Sequence, residues 1–145
     1  MIRKLQPGDT EEVLAIWLEA SVIAHHFIPA GYWQNSLPEM RTTYLPASDT
    51  HVYISPEGTI AGFISMVDNY IAAIFVKPAF QGRGVGSQLL SYVQELYPTG
   101  LILNVYKENQ RSVQFYKRHG FTVEEERIDP ATGHPELVMK RINTN

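Results

Sequence analysis

Three glycines at alternate positions, Gln81-Gly82-Arg83-Gly84-Val85-Gly86, stand between a strand-like run and a periodic apolar segment. Glycines so placed let successive backbone N–H groups face one anion at a helix amino terminus, where the helix dipole adds to the attraction. This is phosphate-binding chemistry. A P-loop would end in Gly-Lys-Ser/Thr, but Gly86 is followed by Ser87 and Gln88, so nucleoside triphosphate hydrolysis is poorly supported. A dinucleotide fingerprint needs G-x-G-x-x-G opening a βαβ unit, whereas this is G-x-G-x-G after a run of strands. On the glycines alone, a turn that only lets helix and strand pack is an equal alternative.

The remaining reactive side chains narrow the chemistry by their types. There is no cysteine, which removes disulfides, thiolate metal sites and any cysteine nucleophile. The five histidines show no HExxH or i, i+4 pairing, so no metal is expected. No G-x-S-x-G elbow supports a serine triad. His25 and His26 sit in an aromatic stretch, His25 to Trp33, and a ring pKa near 6.5 suits proton transfer.

The elements that position these groups follow from periodicity. Ile2 to Leu5 reads as a strand closed by Pro7-Gly8, and Asp9 with Glu12 as a capping box opening a helix with Val13, Ile16, Trp17, Ala20 and Ala24 inward. A second helix is expected from Pro29 or Ala30 to Tyr44, with Pro38 weakening its continuity. Strands His51 to Ser55, Thr59 to Val67 and Tyr70 to Val76 form an antiparallel meander stopped by Pro78. The glycine loop then enters a helix with Val85, Leu89, Leu90, Val93 and Leu96 inward. Leu101 to Tyr106 is a strand, and Asn109 to His119 a helix with Asn109 as N-cap and Gly120 after its end. Phe121 to Arg127 and Leu137 to Ile142 close the chain. The order β-α-α-β-β-β-α-β-α-β-β predicts one α+β domain over residues 1–145, the length suiting a single core.

Charge and hydropathy exclude other classes. Twelve Lys and Arg against fifteen Asp and Glu give a net charge of −3, which lacks the positive field nucleic-acid binders use, so no nucleic-acid partner is expected. The amino terminus has no apolar region after its early charges, and the longest apolar run, Tyr70 to Val76, falls far short of the about 20 residues that cross a bilayer. A cytoplasmic protein without membrane contact is expected.

Val76-Lys77-Pro78, the Gln81 to Gly86 loop, Asn109, Phe115-Tyr116 and Gly120-Phe121 together resemble, in order and spacing, the GNAT superfamily of acetyl-CoA-dependent N-acetyltransferases. The likeness covers nearly the whole chain, is strong from Ile74 to Phe121, and is weak from Ser21 to Ser48. It implies a mixed, mostly antiparallel sheet of about seven strands flanked by about four helices, splayed between the strand ending at Val76 and the strand from Leu101. Acetyl-CoA, the acetyl donor, would lie in that opening. The main chain of Ile74, Phe75 and Val76 would hold the pantetheine and acetyl groups. The amides of Gly82, Arg83, Gly84, Val85, Gly86 and Ser87 would hold the pyrophosphate beside the Gln81 and Arg83 side chains, and Asn109 would bond the pantetheine arm.

By the same resemblance Tyr116 is the acid that protonates the departing thiolate, its ordinary pKa near 10 being close enough to a thiol's about 8.5. Several family members carry a glutamate base where this chain has Asn104, which takes no proton at neutral pH. Asn104 would then position a water or the amine, with the proton leaving through solvent, His25 or His26. A lysine-like amine at pH 7 costs roughly 4–5 kcal/mol to deprotonate unless its site helps. Direct attack in a ternary complex is expected. The acceptor is a primary amine of a small metabolite, a peptide end or a protein lysine, seated near His25 to Trp33 and Asp129 to His134, in a monomer or homodimer. A CoA-binding sensor without turnover is the alternative that Asn104 keeps open.

Overall fold

The computed structural model describes residues 1–142. Seven strands, β1 (Ile2–Lys4), β2 (Asp49–Ile54), β3 (Ile60–Val67), β4 (Tyr70–Val76), β5 (Leu101–Tyr106), β6 (Thr122–Ile128) and β7 (Pro135–Arg141), form one sheet in the order β1-β2-β3-β4-β5-β7-β6. The helices are α1 (Thr10–Ala24), α2 (Ala30–Glu39), α3 (Leu45–Ala47), α4 (Val85–Leu96) and α5 (Gln110–Arg118). Architecture and element order match the α+β expectation.

β3 is buried from Ile60 to Met66, so it is covered on both faces, and its alternating side chains feed two cores. Phe63 packs with Val13, Leu14, Trp17, Trp33 and Leu45 from the first three helices. Ile64 and Met66 pack with Leu89, Leu90 and Val93 of α4 and with Val113 and Phe121 on the other face. Leu96, expected inward, is 48% exposed because α4 ends there, past the sheet.

Two local expectations are corrected. The Asp9–Glu12 box does not form: a 3-10 turn over Pro7–Asp9 precedes α1, and the Asp9 carboxylate turns back to accept from Arg3 at 2.7 Å and from the Gln6 amide at 2.8 Å. An ion pair with a second donor outweighs one neutral cap bond. Pro38 does not interrupt the second helical segment either. α2 passes into a π-helical stretch, Met40–Tyr44, and then α3. The wider turn follows the position where proline cannot donate, and the Thr42 hydroxyl donates to the Pro38 carbonyl at 2.8 Å.

The feature that creates the site is the join between β4 and β5. All other strand pairs are antiparallel; these two are parallel and share only Tyr70↔Ile102 and Ile71↔Leu103. β3 pairs Ser65 with Ala73 and Met66 with Ile71, leaving Ala72 as the extra residue of a bulge. A bulge bends its strand and increases the local twist, and beyond it β4 carries on to Val76 without β5 beside it. The sheet therefore opens like a V.

Candidate active site

Two cavities flank that opening. One is a cleft of about 690 Å³ between β4, the glycine loop and α5. The other, about 240 Å³, lies between α1, α2, β4 and β5. They share five lining residues: Ile74, Phe75, Asn109, Ser112 and Tyr116.

The larger cleft gathers most of the residues expected to bind a cofactor. Ile74, Phe75 and Val76 line it from the open edge of β4, and Gln81, Gly82, Gly84, Val85, Gly86, Ser87 and Asn109 line it from the loop and helix ends. Gly82 and Gly84 have φ of +79° and +80°, a left-handed conformation that costs little only for glycine, and no atom lies within 4 Å of where a Cβ would stand. The backbone there is bare. Gly86 serves a different need, since its Cβ would lie 3.2 Å from the tip of Phe115, so α4 and α5 approach each other through it. α4 begins at Val85, with its amino terminus at the cleft. Gln81 donates through Nε2 to the Val76 carbonyl at 3.1 Å. Arg83 is the exception: its guanidinium lies 5.4 Å from the centre of the Phe80 ring and is not among the groups lining the cleft.

This arrangement fits a long, anionic, amide-bearing ligand. Bare amides and a helix amino terminus suit phosphate, and the open strand edge suits an arm that pairs as a strand would. Sequence reasoning missed Arg111 and Arg118, which line the same cleft. Their i, i+7 spacing puts them on one face of α5, a signal visible in the sequence once that helix is known. Ser87 Oγ lies 3.1 Å from His119 Nε2.

Asn109 ties the two cavities together. Its Oδ1 accepts from the Ser112 amide at 3.3 Å, capping α5, so the group facing His25 is Nδ2, 3.3 Å from Nε2. His25 Nε2 is therefore an acceptor and the ring proton sits on Nδ1. Burial lowers the His25 pKa from 6.5 to about 4, so the ring is neutral at pH 7. His25 stands among Trp33, Tyr106 and Phe27, with ring centres at 5.2, 5.1 and 5.9 Å. It lines the smaller cavity, while exposed His26 lines the larger one.

Strand alternation fills the rest of the smaller cavity. β5 reads Leu101, Leu103 and Val105 into the core and Asn104 and Tyr106 to the other face. With its amide oriented so that each end meets a complementary group, Asn104 accepts through its oxygen from Arg127 Nη2 at 2.6 Å and from the Tyr70 hydroxyl at 3.2 Å and donates through its nitrogen to the Leu103 carbonyl. It is an anchored neutral group. The register sets Tyr106 opposite Glu136, which lines the cavity as its one carboxylate and accepts from Arg127 Nε at 2.9 Å. The Tyr106 hydroxyl donates to Asp129 at 2.6 Å; burial and that bond push its pKa far up. Tyr116 is 8% exposed, and burial holds its phenol well above the ordinary value, so it carries its proton at neutral pH.

Residues 11–121 match the family model described as the acetyltransferase (GNAT) family. The chain is 35% identical over 140 residues to peptidyl-lysine N-acetyltransferase YiaC of Escherichia coli K12, covering 96% of this chain and 94% of that protein. It superposes on the solution structure of apo YjaB from Escherichia coli with a TM-score of 0.86 at 27% identity, covering 99% and 98% of the two chains. The PaiA N-acetyltransferase of Thermoplasma acidophilum in complex with coenzyme A shares the fold, with a TM-score of 0.82 at 19% identity over 98% of each chain. The sequence match across the sheet opening, the loop and both flanking helices shows that the chain belongs to the acetyltransferase (GNAT) family.

Proposed function

We propose that this N-acetyltransferase acts on the ε-amine of lysine carried by a peptide or protein, with acetyl-CoA in the larger cleft and the lysine chain in the smaller one. The observation that carries this reading is the sharing of Ile74, Phe75, Asn109, Ser112 and Tyr116 by two otherwise separate cavities, one with a bare amide loop and a helix amino terminus and one that combines aromatic walls with a carboxylate. The acceptor class rests on the 35% identical relative named for peptidyl-lysine.

When bound, acetyl-CoA supplies an activated acetyl thioester. Ile74, Phe75 and Val76 would hold its arm along the open edge of β4, the amides of Gly82 and of Gly84 to Ser87 its pyrophosphate, and Arg111 and Arg118 would add positive charge. The aromatic walls formed by Trp33, Phe75 and Tyr106 disfavour an ammonium by desolvation, which reduces the deprotonation cost of the incoming amine. Glu136 draws the cation in, but Arg127 at 2.9 Å offsets much of its charge, so it does not hold the amine protonated. His25, neutral and with Nε2 occupied by Asn109, orients the cavity and takes no proton at pH 7. Tyr116 keeps its proton until a stronger base forms beside it, which suits donation to a departing thiolate.

The test is CoA release across lysine peptides and small amines, comparing the parent with Tyr116→Phe. Turnover should fall by about 10²-fold or more with acetyl-CoA affinity retained. Acetyl-CoA binding with no release above the variant's rate for any acceptor sinks the enzyme reading, and turnover undiminished in Tyr116→Phe removes the acid role.

A further inference from the structure

The carboxylate of the smaller cavity is only half engaged. Glu136 lines the cavity from β7, set between Tyr106 of β5 and Arg127 of β6 by the strand register, and its side chain is 13% exposed. Arg127 Nε donates to its Oε1 at 2.9 Å. Oε2 takes no bond from any described residue and is not among the enclosed polar atoms that lack a partner, so solvent reaches it.

The arginine is fixed from a second side. Its Nη2 donates to the Asn104 oxygen, which also accepts from the Tyr70 hydroxyl. One guanidinium therefore spans Asn104 and Glu136, and this sets the carboxylate beside Asn104 and Tyr70, both of which line the cavity. Arg127 lies on the outermost strand with its side chain 50% exposed, so water screens its charge in part. Glu136 is left attractive to a cation, but less so than a bare carboxylate.

We propose that Glu136 Oε2 is the specificity-determining contact that receives the acceptor's ammonium, and that Arg127 is a positioning residue whose charge keeps that ammonium from being held in its protonated form. This rests on the reading of the smaller cavity as the acceptor site. The ammonium loses its proton to water, and the neutral amine then attacks. The acceptors so selected are amines that arrive charged, since an uncharged hydroxyl of the same shape gains far less from Glu136. The other titratable groups around the pair keep their state meanwhile. His25 titrates at about 4, and burial raises Tyr70, Tyr106 and Tyr116 above the ordinary 10. Glu125 of β6 adds negative charge near Arg127. An acid limb of kcat between about pH 6 and pH 9 therefore reports the bound amine.

The experiment uses Nα-acetyl-lysine methylamide and its analogue with a hydroxyl in place of the amine. Calorimetry on CoA-loaded protein at pH 7 should show the parent preferring the amine by about tenfold. Glu136→Gln, which still offers Arg127 an acceptor, should bring that ratio toward one. In CoA release, Arg127→Gln should lower KM severalfold and move the acid limb of kcat up by about one pH unit, with Arg127→Lys returning it toward the parent's. The double variant should match Glu136→Gln, because Arg127 acts through Glu136. An arginine with a structural role alone would lower stability and leave the limb in place. An amine preference that Glu136→Gln keeps, or a limb that Arg127→Gln does not move, overturns the proposal; should Glu136→Gln fail to fold, the limb decides. If the lysine amide is turned over with either of those results, the lysine reading stands without this contact. An amine preference that Glu136→Gln abolishes, without turnover of any amine, supports the contact and refutes the lysine reading.

Discussion

Acidification should weaken this fold through His25, by an amount that its surroundings set. In the unfolded chain its ring titrates near 6.5, and in the folded protein burial lowers that to about 4. The unfolded state therefore binds more protons across that interval, so stability is full above pH 6.5 and declines as pH falls toward about 4. Integrating that difference for one group gives a loss of about 2 kcal/mol between pH 7 and pH 5, and about 3 kcal/mol by pH 4. Asp9 and Asp129, whose pKa values are lowered, lose their contributions as pH falls below their ordinary 3.8, and Glu11, also lowered, as it falls below 4.5. His51 and His119, also lowered by burial, lose stability in the same direction as pH falls below 6.5. The comparison that isolates His25 is therefore with His25→Gln, which offers Asn109 an acceptor and does not titrate. Urea unfolding of both proteins at pH 7, 6 and 5 should give a stability difference that shifts by about 2 kcal/mol in favour of the variant as pH falls. Parallel pH profiles would refute a buried neutral ring, and with it the assignment of Nε2 as an acceptor for Asn109.

Two glycine substitutions separate cofactor binding from folding. Gly84→Asp places a carboxylate on a residue at φ +80° in the bare loop, and acetyl-CoA affinity measured by calorimetry should fall at least about tenfold; unchanged affinity removes the loop from the phosphate site. Gly62→Ala should cost about 1–3 kcal/mol in denaturant unfolding, because the new Cβ lies 2.9 Å from the Phe75 carbonyl oxygen and 3.2 Å from Val85; a neutral result would mean that β3, β4 and α4 do not meet as closely as the structure has them.

How much of this was legible in the sequence depended on the range of the forces involved. Asn109 as an N-cap, Gly120 after α5, and Val85, Leu89, Leu90 and Val93 facing inward all follow from local chemistry, and they stand where the pattern puts them. Asp9 misled because its carboxylate had two competing uses, and the ion pair with Arg3, six residues back in β1, decided between them once the turn over Pro7–Asp9 brought the two together. The smaller cavity was mostly illegible. Trp33, Tyr70, Asn104 and Glu136 come from four elements, and only the β5–β7 register sets Glu136 opposite Tyr106. No periodicity within one strand reports its partner's register.

The β4 bulge connects fold to chemistry more directly than any single side chain does. Had β5 stayed paired with β4 to Val76, the strand edge would have been consumed by its neighbour and the two cavities sealed from each other. Ending the pairing after Ile71 gives up the β5-side ladder bonds of the last five residues of β4; of these Ile74, Phe75 and Val76 line the cleft, and Ala72 and Ala73 line the smaller cavity. The same divergence lets Asn109 and Tyr116 of the α5 region reach from one cavity to the other. On the lysine reading proposed above, a chain with asparagine where the resemblance puts a base would lack that proton acceptor, and the aromatic enclosure around His25 and Trp33 would offer another route to a neutral amine: desolvation disfavours the ammonium before any acceptor takes its proton. Reactivity should then depend on how completely the amine is enclosed. Adding a carboxylate through Asn104→Asp should raise the amine's pKa and shift the rate profile toward higher pH, where a chain waiting for a missing base would gain activity at neutral pH.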